Sequence, residues 1–458
     1  MRKFLILFFV AFVVKANSQC TVLLDFAGVT NGQYPFGSLI SDGTFLYGMT
    51  NSGGTNNTGT IFKILPSGGG YVKLLDFAPV SSPGGSFPDG SLFFDGTFLY
   101  GTTGNGGTTD DGTIFKIMPD GTGYVKLFDF TNTTTGQQPH SSLISDGTFL
   151  YGTTYYGGSN NNGAIFKIMP NGSGYLKLLD FATITHGINP SDLISDGTFL
   201  YGMGNSGGTK NLGTMFKIMP NGSGFVKLLD FDSINGSYPS GSLIYDGTFL
   251  YGTTSRGGVN DLGTIFKIKP DGTNYNKLLD FTGSVNGSLP SGSLISDGIF
   301  LYGTTTSGGS NNIGTIFKIM PDGSGYTNLL DFAGTTNGNY PVSSLIYDSS
   351  FLYGMTYLGG ANNNGVVFKF AMPAGVGEFT DKNKQVLVYP NPTNQILNIE
   401  SENQRAELKI IDMLGNEIKT EKFSDKTSVD VSDLKKGIYF VSVKTSSGIS
   451  TQKIIVQR

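Results

Sequence analysis

The stretch Asp246-Gly247-Thr248-Phe249-Leu250-Tyr251-Gly252-Thr253-Thr254 recurs in seven near-copies, with its tyrosine at Tyr47, Tyr100, Tyr151, Tyr201, Tyr251, Tyr302 and Tyr353. The spacing stays between 50 and 53 residues, and a period that regular demands a repeat architecture. Asp-Gly is a tight-turn signal, because Gly accepts positive φ and Asp bonds its own backbone. Phe249 and Tyr251 then alternate with Leu250 at the period of two that a strand requires.

One unit, Ser242 to Phe281, holds four strand candidates: Ser242 to Tyr245, Thr248 to Thr254, Thr264 to Ile268 and Tyr275 to Phe281. Short turns between successive strands make an antiparallel meander, and four-stranded sheets repeated at this period predict a β-propeller. The third-strand Phe-Lys pair occurs at Phe62, Phe115, Phe166, Phe216, Phe266, Phe317 and Phe368, so the blades number seven. The Asp-Phe that ends the fourth strand also occurs seven times, from Asp25 to Asp331. The array enters on a fourth strand, Thr21-Val22-Leu23-Leu24-Asp25-Phe26, and leaves on a third, Phe368-Lys369-Phe370. Pairing the N-terminal strand onto the last blade uses every strand and leaves no bare inner edge. A linear β-solenoid is the alternative, and it would leave Leu23 and Leu24 unpaired.

From Gln385 to Arg458 charged residues become frequent and only three of the 68 glycines remain. Alternating runs such as 406–411 and 437–443 mark a small β-sandwich. The expected architecture is thus all-β: a seven-bladed propeller over 21–370, a linker over 371–384 and a sandwich over 385–458. Arg2 and Lys3 followed by the apolar run from Phe4 to Val14 read as a signal peptide over 1–18, cut between Ser18 and Gln19. That run falls short of the roughly 20 residues of a spanning helix, so no transmembrane segment is expected in the mature chain. A lipid anchor on the single cysteine, Cys20, is the alternative, but Asn17-Ser18-Gln19 lacks the usual aliphatic and small residues. One cysteine permits no internal disulfide, and a net charge of −4 argues against a nucleic-acid partner.

Tyr389-Pro390-Asn391-Pro392, Ile410-Ile411-Asp412-Met413-Leu414-Gly415 and Leu434-Lys435-Lys436-Gly437-Ile438-Tyr439-Phe440-Val441 resemble, in order and spacing, the type A sorting domain of the type IX secretion system. The resemblance implies handling by that machinery, export across both membranes of a Gram-negative cell, removal of the domain, and a secreted or surface-anchored product. The repeats are similar to the GloVer tandem repeat family on Leu-Ile-x-Asp-Gly-x-Phe-Leu-Tyr-Gly, the Gly-Gly pair and Gly-Thr-Ile-Phe-Lys-Ile. No enzymatic activity comes with that resemblance. The absence of tryptophan sets them apart from WD and kelch repeats.

Groups present in every blade surround an axis, whereas a site needs one asymmetric constellation, so the recurrent Asp, Tyr and Lys residues are assigned to the scaffold. The Phe-Lys lysines, such as Lys267, are expected to neutralise a neighbouring strand aspartate. Glutamate is absent from Thr21 to Phe370. The residues left over are Asp89, Asp110, Asp111, Asp192, Asp232, Asp261, His140, His186 and Arg256, all in or beside loops after a second or fourth strand. Those loops share one face of a propeller with Tyr155, Tyr156, Lys210 and Tyr357. Loops that vary on a rigid scaffold are the usual seat of binding.

The candidate patch is His140, Tyr155, Tyr156, His186, Asp192, Lys210, Asp232, Arg256 and Asp261, on three consecutive blades; chance decoration of solvated loops is the competing account. Tyrosine can stack on sugar rings and Asn or Asp can bond hydroxyls, so a glycan or surface-protein ligand is expected and no catalytic residue is assigned. The alternatives are a purely structural surface protein and a polysaccharide-degrading enzyme. A glycosidase needs paired carboxylates, and a lyase needs a base with a cation, such as Asp192 with Arg256 or His186. No cofactor is expected. Calcium is the weaker option at Asp110-Asp111 and the Asn-rich loops, whose asparagines also serve turns.

Overall fold

A computed structural model of the chain describes residues 20–79, 84–182, 184–348, 350–372, 387–389, 393, 395–411, 417–434, 437–445 and 448–456. The signal-peptide expectation, with Ser18 and Gln19, lies outside the described residues, as does most of the linker. The chain divides into two units, Met1–Met372 and Pro373–Arg458.

Each repeat forms one sheet. In the fifth, Ser237–Tyr245 pairs with Leu250–Arg256, that with Thr264–Ile268, and that with Asn276–Asp280, all antiparallel. The inner strand is longer here than in most blades, where it shrinks to two residues such as Ile40–Ser41. The turn before the second strand is built by one carboxylate. Asp246 Oδ1 accepts the N–H groups of Thr248 and Phe249, and Oδ2 accepts the Tyr251 hydroxyl. The Tyr–Asp bond recurs in all seven blades at 2.7–2.9 Å. Gly252 follows because a Cβ there would lie 2.7 Å from Phe266 Cζ, so glycine lets the third-strand phenylalanine cross the second strand.

Blades adhere through aromatic edges. The phenylalanine of each Asp-Phe meets the Phe-Lys phenylalanine of the next blade edge-to-face at 5.2–5.6 Å, from Phe26–Phe62 to Phe332–Phe368. Both rings of every pair are buried.

The lysine expectation needs correction. The seven third-strand lysines sit over a phenylalanine ring of their own second strand at 3.6–4.9 Å. Lys267 Nζ also donates to the Pro321 carbonyl of the next blade at 2.8 Å. Ion pairs to the Asp-Phe carboxylates come instead from the fourth strand, as in Lys73–Asp76 at 2.8 Å and Lys227–Asp230 at 2.7 Å. Register explains the exchange: Asp280 lies opposite Thr264, whereas Lys267 lies opposite Asn276 at the other end of the strand. The third-strand lysines act on aspartates only through space. Burial alone would raise the Asp95 carboxyl, but N–H and Tyr100 hydrogen bonds, with Lys116 adding its charge, hold it below the usual range.

The ring closes as the strand inventory requires. Cys20–Asp25 pairs antiparallel with Val366–Ala371, with Cys20 opposite Phe370 and Asp25 opposite Val366. A four-stranded seventh blade results, and the solenoid alternative is excluded. The last strand runs on to Ala371, one residue into the expected linker.

In the second unit, five strands from Leu387–Tyr389 to Gly448–Val456 form one sheet. A register shift between Ser401 and Arg405 interrupts the 16-residue strand Ile396–Ile411. Leu397 and Ile399 before it and Leu408 and Ile410 after it share one core with Val441, Val443, Ile454 and Val456. The sheet therefore folds over on itself as a small sandwich.

Candidate binding pocket on the propeller axis

In each repeat a short segment beginning with proline leads from the loop-rich face into the innermost strand. The residue before that proline has positive φ in all seven blades: Tyr34, Phe87, Gln138, Asn189, Tyr238, Leu289 and Tyr340, at 53–58°. Such a conformation is costly for a residue with a Cβ. It is held by an N–H bond to the preceding blade in every case, from Tyr34 to Asn364 O at 2.9 Å round to Tyr340 to Ile313 O at 3.1 Å. The strain is thus offset by stitches between blades.

The segments meet around the axis in a chain of serines. Ser38 N–H donates to Ser91 Oγ at 2.8 Å, Ser91 to Ser142 at 3.0 Å, Ser242 to Ser293 at 2.6 Å, and Ser293 to Ser344 at 2.8 Å. Ser344 N–H to Ser38 Oγ, at 2.9 Å, joins the last blade to the first. The fourth blade departs. Its segment, Pro190-Ser191-Asp192-Leu193, is one residue shorter than the others and carries aspartate where they carry serine. Asp192 Oδ1 takes the Ser142 N–H at 2.8 Å.

These segments line a cavity of about 230 Å³ to which all seven blades contribute. Three of the expected patch residues converge on it: His140, Tyr155 and Asp192. Asp192 opens onto the cavity but is otherwise walled by protein. Burial raises its carboxyl, against the opposing pull of the Ser142 hydrogen bonds. His140 Nδ1 donates to Asp89 Oδ2, and Asp89 Oδ1 accepts from Asn51 Nδ2 at 2.5 Å. A carboxylate on Nδ1 fixes the proton there, leaving His140 Nε2 beside Gln138 Oε1 at 3.5 Å. The His140 ring meets Tyr155 edge-on at 5.5 Å, and Tyr155 meets Tyr156 at 4.8 Å. Burial raises the Tyr155 hydroxyl above its ordinary value. At the opposite wall Phe36 packs edge-on against Tyr357, which stacks on Tyr34 at 5.1 Å.

The remaining expected residues lie elsewhere. Tyr156 is exposed and its backbone bridges to Gln137. His186 is architectural: its Nδ1 lies 3.2 Å from Asp180 O, where Asn31 and Asn286 bond the equivalent carbonyls of other blades. Its ring packs on Phe225 at 4.5 Å, a position that is tyrosine in other blades, such as Tyr175 and Tyr275. Lys210 pairs with Asp232 at 3.4 Å on the exposed loops, and Asp232 Oδ1 also caps the turn at Ile234 and Asn235. Arg256 approaches Asp261 at 3.8 Å, while Asp261 Oδ1 accepts the Gly257 N–H as asparagines do in other blades. Asp110 does the same for Gly106, and Asp111 accepts from Asn132 N–H.

Sequence reasoning missed Asp89 as a member of the constellation, together with Asn51, Phe36 and the serines. The available signal was the missing residue between Pro190 and Leu193.

A repeat-family model described as the Gloeobacter/Verrucomicrobia repeat matches residues 10–148, 93–248 and 245–386, and the secretion system C-terminal sorting domain matches 387–457. No curated protein matches the chain. Among solved structures, PorZ of the type IX secretion system of Porphyromonas gingivalis is 16% identical, with a TM-score of 0.49 over 95% of this chain and 61% of that one. The extracellular domain of a putative hybrid two-component system from B. thetaiotaomicron is 14% identical, with a TM-score of 0.52 over 96% of this chain. The chain spans only 59% of its length. Oligogalacturonate lyase from Vibrio parahaemolyticus is 11% identical, with a TM-score of 0.53 over 79% of this chain and 95% of the lyase. At such identities the last two likenesses bear on the fold alone. No helix among the described residues is long and apolar enough to cross a membrane. The chain belongs to the Gloeobacter/Verrucomicrobia repeat family, as a seven-bladed propeller whose type IX sorting tail marks it as a secreted or cell-surface protein.

Proposed function

We propose that the propeller is a non-catalytic binding module that takes a glycan at the axial pocket of its loop-rich face. One observation carries the reading: four of the residues that break sevenfold symmetry, Asp89 with His140, Tyr155 and Asp192, converge on one cavity, while the others sit on the rim or in the scaffold. Phe36 and Tyr155 offer aromatic surface to a sugar ring, and the serine segments, Asn189 and Asn205 offer hydrogen bonds to its hydroxyls. Type IX export delivers the module to the surface, where removal of the tail leaves it released or anchored.

A glycan array probed with the full-length protein tests this. Binding that is lost in Tyr155→Ala and Phe36→Ala but kept in Arg256→Ala, on the rim, supports the pocket. Binding lost only in Arg256→Ala moves the site to the loop tips. No binding to any glycan returns the propeller to a structural role, and turnover of a bound polysaccharide makes it an enzyme.

A further inference from the structure

The serine chain handles one position neutrally in six blades, and in the fourth it places a carboxylate against the cavity. Asp192 has no cationic side chain paired with it among the described residues, and no lysine or arginine lines the pocket. The other pocket carboxylate, Asp89, already has His140 and Asn51. A walled-in carboxylate without a counter-charge is costly to fold, and the neutral solution stands in the neighbouring repeats. We infer, building on the glycan reading above, that the axial pocket selects an amine-bearing sugar at a chain end, whose ammonium supplies the counter-charge to Asp192.

Three features narrow the ligand. An ammonium brings one positive charge and three donors, which suits a carboxylate without a cationic partner set among serine hydroxyls and backbone carbonyls. Calcium is a poorer fit, since it takes 6–8 oxygen ligands, commonly with several carboxylates, and no group of three or more acidic or His/Cys side chains gathers among the described residues. A cavity of about 230 Å³ lies below the roughly 300–1,000 Å³ of drug-sized sites, so it admits a terminal residue and not a through-running polymer. Acidic sugars would meet Asp192 with like charge.

The test is calorimetric binding by the full-length protein, at about pH 6, to glucosamine, N-acetylglucosamine and galacturonate tetramers. The glucosamine tetramer is expected to bind at least about tenfold more tightly than the other two. Its affinity should weaken as salt rises. Asp192→Asn keeps the acceptor for Ser142 and should bring the three within about threefold of one another; Asp192→Ser, the residue of the other blades, should do the same. Unliganded Asp192→Asn should also melt above the parent, because the amide removes an uncompensated charge. Equal affinity for an acetylated or acidic tetramer, an undiminished amine preference in both variants, or a lower melting temperature in Asp192→Asn overturns the inference. If no tetramer binds while another glycan on the array does, the amine selection falls and the binding reading stands. Silence across the whole array removes both.

Discussion

Gly252 lies where a methyl group would meet Phe266 Cζ at 2.7 Å and Leu243 Cδ2 at 3.0 Å, yet its φ is ordinary, so the constraint there is space alone. Gly252→Ala should therefore destabilise the protein by about 1–3 kcal/mol through overpacking, read as a lower urea midpoint. Tyr251→Phe keeps the ring and removes the hydroxyl bond to Asp246, at a cost of about 1.5–3 kcal/mol in the same assay. The Asp-Phe carboxylates predict the response to acid. Burial alone would raise Asp76, Asp180 and Asp230, but bonds from Lys73, Lys177 and Lys227 and from Thr55, Ser159 and Thr209 outweigh it, so each sits below its ordinary value. Such groups stabilise the fold above their unfolded value of about 4 and lose that contribution as pH falls through the folded value. Urea resistance should drop between about pH 5 and pH 3; a flat midpoint across that range would contradict the assignment. Most of this was legible in the sequence, because Asp-Gly-x-Phe-Leu-Tyr-Gly packs a turn, its clamp and its clearance into one string. The partner of Lys267 was not legible, since it depends on which end of a strand faces which, a matter of register that composition does not encode.

Strand count and ring closure could be inferred before any coordinates, because a chain that starts on a fourth strand and stops on a third has one economical way to satisfy both edges. Removing Cys20–Asp25 should test that element directly. The last blade would then present an open edge at Val366–Ala371, and loss of Phe26 as well would leave Phe62 without its edge-to-face partner. A chain lacking residues 20–26 is expected to melt well below the parent and to self-associate on size exclusion. Unchanged melting and a monomeric profile would show that six closed blades suffice. The axial site was harder to foresee. Asp192, His140 and Tyr155 come from three different inter-strand connections, and only the radial arrangement brings them to one cavity. The repeat pattern put them on one loop-rich face but did not separate them from the rim residues, and His186, equally rare in the sequence, is a substitute for a structural asparagine.

For the molecule as a whole, Cys20 is a built-in reporter. It sits part-buried in the closing strand, and burial pushes its thiol up to about 12. The reactive thiolate is therefore scarce while the ring is shut. Maleimide labelling at neutral pH should run at least about tenfold slower in the native protein than in urea and should follow the melting of the seventh blade; equal rates would mean that this strand is not docked. The position of that docking strand has a consequence for production. Its partner, Val366–Ala371, is nearly the last thing made before the sorting tail, so every product cut short upstream lacks both the latch's counterpart and the export address. Possession of the address thus certifies that the molecule bearing it has all the parts needed to shut.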